Sequence, residues 1–405
     1  MAKRDYDLIL LGATGFTGQL VAEYLARQYG VGGDLRWAIA GRNAQKLEQV
    51  RAQILADNDE SLDIVVADSN DRESLNTMAA RATAICTTVG PYALYGTPLV
   101  EACIEAGTHY CDLTGEVQWI QRNIADFQTR AEKAGARIVH TCGFDSIPSD
   151  LGTLFVQNAM FDATGAPGDR VCARVGKNSG AVSGGTVASM LNVMEEASRD
   201  PGLRKAIGDP YALYPTETPR GHDKPDQTGV KYDADFHQWT CPFVMAAINA
   251  RVVRRSNALL GLPWGEDFRY SESLLCKSRG AALRTTAVMG AGMGAMAFTP
   301  TRALLSRFLP DPGEGPDKAT REKGFFEMFF HAENADGHRQ VKVTGDMDPG
   351  YGSTSKMLGE AAVCLALDSL DSPGGITTPA AAMGTVLIDR LTKNAGLTFE
   401  IVSGA

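Results

Sequence analysis

GATGFTG, from Gly12 to Gly18, follows the apolar run Leu8-Ile9-Leu10-Leu11 and opens a stretch, Gln19 to Gln28, that reads as a helix. A short buried strand that runs through glycines into a helix N-terminus is a cradle for phosphate, because the first N–H groups of the helix have no partner in their own chain. Gly12 permits the tight turn, Gly15 lets the backbone approach a pyrophosphate, and Gly18 lets the helix pack close to the strand. With Ala13, Thr14, Phe16 and Thr17 between them, these residues form the candidate loop for a dinucleotide. The glycines recur every third residue in a chain that has 43 of them, so spacing alone leaves a reading as turn glycines open. The strand before and the helix after the loop are what favour a nucleotide.

A second strand, Leu35 to Ala40, ends in Gly41-Arg42-Asn43, where a fold that binds NAD places an acid for the ribose hydroxyls. No acid is there. Arg42 can pair with a 2′-phosphate, and Lys46 one turn later can add a second charge, so NADP(H) is the expected cofactor. Arg42 as a solvated residue at a helix start is the other reading. Asp68, at the end of a third strand, is placed for the adenine side or for an Asx turn. Val89-Gly90-Pro91 leave a fourth strand where ribose and nicotinamide should lie, or simply terminate it.

At 405 residues the chain exceeds a single typical core, and 44% hydrophobic with 21% charged residues is ordinary globular usage. A net charge of −9 argues against a nucleic-acid partner, since neutralising phosphates takes clustered Lys and Arg. Eight cysteines occur without a CxxC pair or a Cys/His cluster, so neither a metal site nor a disulfide framework is expected. Asp5 and Asp7 interrupt the basic start at Lys3-Arg4, which is unlike an export signal. A cytoplasmic protein is the expectation.

The first 150 residues alternate strands and helices: helices Ala44–Leu55 capped by Asn43, Arg72–Arg81, Thr97–Ala106 and Val117–Ala134 separate strands Leu62–Ala67, Ala84–Val89, Tyr110–Leu113 and Arg137–Thr141. Such alternation predicts an α/β doubly wound parallel sheet whose ligands bind beyond the carboxyl ends of the strands. After Thr141 the texture changes through CGFDSIPSD, Cys142 to Asp150. An α+β domain over residues 151–350 is expected, for substrate and dimerisation, with an antiparallel sheet, helices at Ala188–Arg199 and Val244–Leu260, and a hairpin around Asp336-Gly337. Residues 351–405 read as helices Ser353–Leu367 and Ala380–Asn394 with a last strand, Leu397–Val402, packing back on the first domain. Thr285 to Thr301 contain no charge, and seventeen residues are at the short edge of a membrane span. A buried helix, an interfacial contact with a membrane or the wall of an apolar pocket are the alternatives.

A nicotinamide site needs a proton source beside it. No Tyr is followed four residues later by Lys; Tyr351 and Lys356 miss that spacing by one. Candidates are therefore Tyr92 and Tyr95 after the fourth strand and Asp145 after the sixth. Aromatic packing for the tyrosines and capping of the next helix by Asp145 are the competing roles. His109 and His140 border strands and read as packed histidines.

Five segments, GATGFTG, AGRN, VGPYALYGTPLVEAC, AGTHYCDLTGE and CGFDSIPSD, together resemble the saccharopine dehydrogenase-like oxidoreductases, and most of all their trans-acting enoyl reductases. GGITTPAAAMG, Gly374 to Gly384, shares the likeness. The resemblance implies a Rossmann-type first domain with a second domain inserted before C-terminal elements return to it. It also implies reduction of a double bond on an acyl thioester carried by a polyketide synthase, in the assembly of phthiocerol-type lipids and phenolic glycolipids. A homodimer is the expected assembly. An amino-acid dehydrogenase of the saccharopine type and a nucleotide-binding scaffold without turnover are the alternatives.

Overall fold

The computed structural model describes residues 4–55, 61–179, 207–297 and 315–404. Every residue of β1 (Tyr6–Leu11) and β2 (Trp37–Gly41) is buried, as expected where helices cover both faces of a parallel sheet. Around them α1 (Phe16–Tyr29), α2 (Ala44–Ile54), β3 (Asp63–Val66), α3 (Arg72–Arg81), β4 (Ala82–Thr87), the single turn α4 (Tyr92–Tyr95), α5 (Thr97–Ala106), β5 (His109–Cys111), α6 (Val117–Ala134) and β6 (Arg137–Val139) keep the predicted alternation. The Asn43 side chain caps α2 by accepting from the Lys46 N–H. With a short strand β13 (Gly375–Thr377) from near the end of the chain, the sheet has the order β13-β6-β5-β4-β1-β2-β3, and all its pairings are parallel. Strand order reverses between β1 and β4, so a crevice opens beyond their carboxyl ends.

α7 (Ile147–Thr164) carries the chain from this sheet to a second one, built from β7 (Arg170–Ser179), β8 (Lys231–Asp233), β9 (Gln238–Cys241), β10 (Arg269–Cys276), β11 (Phe325–Asn334) and β12 (Gly337–Gly345). The predicted hairpin around Asp336-Gly337 is the pair β11 and β12. The second sheet is mixed rather than antiparallel: β7 and β10 run parallel, a crossover the sequence pattern does not reveal. α8 (Ala246–Leu259), α9 (Arg279–Ala297) and α10 (Lys318–Lys323) belong to this part, while the expected helix Ala188–Arg199 lies outside the described residues.

The return to the first sheet is made by α11 (Thr354–Leu367), which packs on β1, β4, β5 and α1, and by the short strand β13 (Gly375–Thr377) beside β6. α12 (Pro379–Asn394) packs on α11 and α7. The last strand corrects the expectation for residues 351–405. β14 (Leu397–Gly404) pairs with β12 and edges the second sheet. Alternating Leu397, Phe399 and Ile401 suit either sheet, and only the position of α12 decides which is in reach. One apolar core joins the layers, from Leu8, Leu10 and Ala84 under the first sheet through Leu151 and Val156 to Phe326 and Val341 in the second.

α9 is not a buried helix. Ala282 is fully buried near its start, but Val288 is 72% exposed and the described residues beyond it are open or half-open.

Candidate active site

The crevice is bounded on one side by the glycine loop. Gly12 has φ 91°, a conformation that disfavours any side chain, and its N–H is held by the Ala40 carbonyl. A Cβ on Gly18 would stand 2.1 Å from the Gly12 oxygen, so the close crossing of α1 over the end of β1 exists only without a side chain there. Gly15, by contrast, meets nothing nearer than the Gly12 oxygen at 3.4 Å. It is the N-cap of α1, and no side chain caps the first turn, which leaves the N–H groups of Phe16, Thr17 and Gly18 for an anion. Ala13 is buried, and the Thr14 carbonyl accepts from the Gln19 side chain. The Phe16 ring closes the loop from outside, edge-on to Tyr351 at 4.8 Å with the Arg321 guanidinium 5.4 Å above it.

At the end of β2, Arg42 is exposed and makes no hydrogen bond or ion pair among the described residues. Its guanidinium is available for a phosphate. Asp68 takes its second suggested role at one oxygen: Oδ1 accepts from both the backbone and the side chain of Asn70, an Asx turn. Val89, Gly90 and Pro91 form the opposite lip, with the Val89 N–H on Thr87 Oγ1 and the Thr88 N–H on the Leu11 carbonyl tying the ends of β4 and β1 together.

The three proton-donor candidates separate. Tyr92 is buried; its hydroxyl donates to the Thr87 carbonyl at 3.3 Å and accepts from the Leu113 N–H at 3.3 Å, and burial drives its pKa well up. Here the phenol ties two strand ends together, the packing role that the sequence also allowed. Tyr95 is 38% exposed, with a hydroxyl that has no hydrogen bond among the described residues. Asp145 does not cap α7, whose N-cap is Ser146. Its carboxyl lies beside Gly143, where desolvation, helped by the charge of Asp112, pushes its pKa up to about 7. A carboxyl so placed is half protonated near neutrality and is suited to deliver a proton.

Two buried carboxylates that sequence reasoning missed hold this region together. Asp112 accepts from the Tyr110 hydroxyl at 2.8 Å, from His140 Nδ1 at 2.7 Å and from the N–H groups of Thr114 and Thr141. The Asn123 amide nitrogen faces His140 Nε2 at 3.3 Å, so both ring nitrogens are held by side chains. Glu116, fully buried, accepts from the Tyr92 and Ala93 N–H groups. Each binds one segment of the crevice to another. Thr141 holds φ 62°, a strained value for a β-branched residue, between them. Asp112 ends the short apolar strand β5, a signal that the sequence did offer. Thr354, at the head of α11, accepts from the Phe144 N–H and so fastens the Asp145 segment to the returning helix. Val89, Ala93, Leu113 and Met245 are half-buried against one apolar core, and Leu94 is exposed.

Two features lie elsewhere. Asp235, His331 and Glu333 converge as a metal-ligating set would, but Arg170 already ion-pairs with both carboxylates. A cavity of about 900 Å³ lies between β7, β10 and the loop of Asp223, and none of its lining residues comes from the glycine loop, from Val89–Tyr95 or from Cys142–Asp150. Of its basic residues, Arg170 and Arg174 are bound to internal carboxylates, and only the exposed Lys224, Lys231 and Arg269 are without one among the described residues.

Comparison with known proteins agrees with this anatomy. Residues 8–139 match the saccharopine dehydrogenase NADP binding domain. A provisionally named trans-acting enoyl reductase of Mycobacterium tuberculosis is 43% identical over 415 aligned residues, which cover 98% of this chain and 97% of the relative. A trans-acting enoyl reductase of Mycobacterium bovis is 39% identical, covering 96% of each chain. In fold alone, the chain is similar to apo saccharopine dehydrogenase from Saccharomyces cerevisiae, with TM-score 0.54 at 13% identity, over 98% of this chain and 99% of that one.

The two glycines predict opposite phenotypes. Gly18→Ala should lower the unfolding midpoint, at a cost of about 1–3 kcal/mol for a forced contact. Gly15→Val should melt near the wild type and bind NADPH at least tenfold more weakly. Thermal melts and fluorescence titration decide, and a Gly15→Val that binds normally would contradict the placement of the cradle.

Proposed function

The chain belongs to the saccharopine dehydrogenase-like family, beside chains named trans-acting enoyl reductases, and on that premise we propose that it is an NADPH-dependent enoyl reductase for lipid acyl thioesters held on a polyketide synthase carrier. The observation that carries the reading is the end-to-end likeness to those reductases, which takes in the residues around the crevice as well as the nucleotide domain. NADPH supplies hydride to the β-carbon of the unsaturated thioester. The N–H groups at the head of α1 receive its pyrophosphate, and Arg42 pairs with its 2′-phosphate. Asp68 keeps one carboxylate oxygen for the adenosine side, and Val89, Gly90 and Pro91 bound the nicotinamide end.

As the β-carbon is reduced, negative charge collects on the α-carbon and the thioester oxygen, and a proton has to reach the α-carbon. Asp145 in its neutral form is the donor in this reading, with Tyr95 able to shield the mouth from water. The apolar side chains of Val89, Leu94, Leu113 and Met245 suit an acyl chain. A reaction of the saccharopine type needs free cations to hold several carboxylates, whereas Arg170, Arg174, Arg251 and Arg254 are each engaged by an internal acid.

NADPH oxidation should be seen with long-chain enoyl thioesters, presented on a carrier domain, and not with 2-oxoglutarate plus lysine. Turnover of the amino-acid pair alone would overturn the proposal, and silence with both sets would favour a scaffold. Arg42→Ala should erase the preference for NADPH over NADH, a loss of about 1.5–3 kcal/mol for a charged hydrogen bond.

The acid makes a separate prediction. Because the Asp145 carboxyl is held up at about 7, its protonated fraction falls as pH rises through neutrality, so kcat should decline on the alkaline side. Asp145→Asn should flatten that limb and cut kcat roughly 10²–10⁴-fold while leaving NADPH affinity intact. An unchanged alkaline limb in Asp145→Asn would remove Asp145 from the role.

A further inference from the structure

α9 combines two properties that do not coexist in water. From Thr285 to Ala297 it carries no charged side chain, and a helix that is apolar on all sides is ordinarily buried in a core or in lipid. Here it is exposed: Leu283 at 52%, Val288 at 72% and Met293 at 45%, with Ala287 and Gly290 to Gly294 also open. Consecutive open positions run around the helix, so the exposure is not one face awaiting a neighbouring helix. Among the described residues Val288 is the most exposed large apolar side chain.

The base of the helix is built differently. Lys277, Arg279 and Arg284 are exposed there, and no Asp or Glu occurs from Lys277 to Ala297. The Arg279 guanidinium lies 5.6 Å over the ring of Trp239, which meets the ring of Tyr232 edge-on at 5.5 Å, and Tyr232 is 54% exposed. An apolar rod set in a collar of cations and amphipathic aromatic rings has the layering of a bilayer surface, where rings and cations occupy the headgroup level and apolar side chains the acyl level. The uncharged part of the described helix is about 20 Å long at 1.5 Å per residue, short of the roughly 30 Å hydrocarbon core. No helix among the described residues is long and apolar enough to cross a membrane.

We propose that α9 is a one-leaflet anchor that seats this protein on an anionic phospholipid surface, with Lys277, Arg279 and Arg284 against the headgroups and Val288 and Met293 among the acyl chains. The collar selects the partner: three exposed cations with no Asp or Glu from Lys277 to Ala297 call for an anionic layer, and the apolar rod beyond them for an apolar one, which an anionic phospholipid surface supplies together. The anchor is independent of the reaction assigned to the crevice.

Co-sedimentation of the full chain with phosphatidylcholine vesicles, with and without phosphatidylglycerol, tests this. The chain should pellet with the phosphatidylglycerol vesicles, and less so as salt is raised, because headgroup attraction is screened. Val288→Asp with Met293→Asp, and separately Arg279→Glu with Arg284→Glu, should each reduce the bound fraction at least tenfold while melting and NADPH titration stay as in the wild type. A wild-type chain that remains in the supernatant overturns the proposal, as does equal pelleting of the Asp variant. Wild-type oligomers that the Asp variant dissociates, without vesicle binding, would assign the helix to self-association instead.

Discussion

Everything at the crevice depends on how closely α1 crosses the end of β1. The absent side chain of Gly18 allows the helix to rest on the Gly12 carbonyl, and this contact points the uncapped N-terminus of α1 at the one place where the strand order reverses. The far half of the same helix is fixed by polar contacts. Tyr24 and Tyr29 both donate to the buried Glu360 of α11, which also receives Arg390 and Asn394 of α12. Removing one partner would leave this buried carboxylate short of a donor, so the C-terminal helices are held in this position and the cradle with them.

The opposite wall follows a second rule, that a buried charge must be surrounded by donors. Asp112 and Glu116 each collect N–H groups from other segments, and in doing so they set the relative positions of Tyr92, Leu113 and Thr141. The strain of Thr141 is sustained by that network. At Asp145 beside it, desolvation outweighs the one backbone N–H that lowers its pKa, and this difference between neighbouring acids is the ground for proposing Asp145 as the proton donor. Electrostatics, rather than residue type, distinguishes them.

The first sheet was legible in the sequence because its strands are buried on both faces and read as continuous apolar runs between amphipathic helices; α3, α5 and α6 begin and end at the residues the pattern indicates. The position of the glycine loop between β1 and α1, and of Arg42 after β2, was legible because that spacing is local. Tyr92 was not, since its hydroxyl is spent on groups that only the folded chain brings near. β14 was assigned to the wrong sheet because strand alternation specifies a face, not a neighbour. The charge-free run was visible as composition, whereas the exposure of its described part, up to Ala297, depends on how the other described elements are arranged.

In the proposed reaction hydride passes from NADPH to an acyl double bond in the crevice between β1 and β4, with the proton arriving from the protein side. Product isotope analysis with NADPH carrying deuterium at both C4 positions of the nicotinamide, using an enoyl thioester on its carrier domain, tests this. The account predicts one deuterium at the β-carbon of the saturated acyl chain and a solvent-derived hydrogen at the α-carbon. Deuterium absent from the acyl chain, or found on a carbon–nitrogen centre when amino-acid substrates are supplied instead, would contradict it.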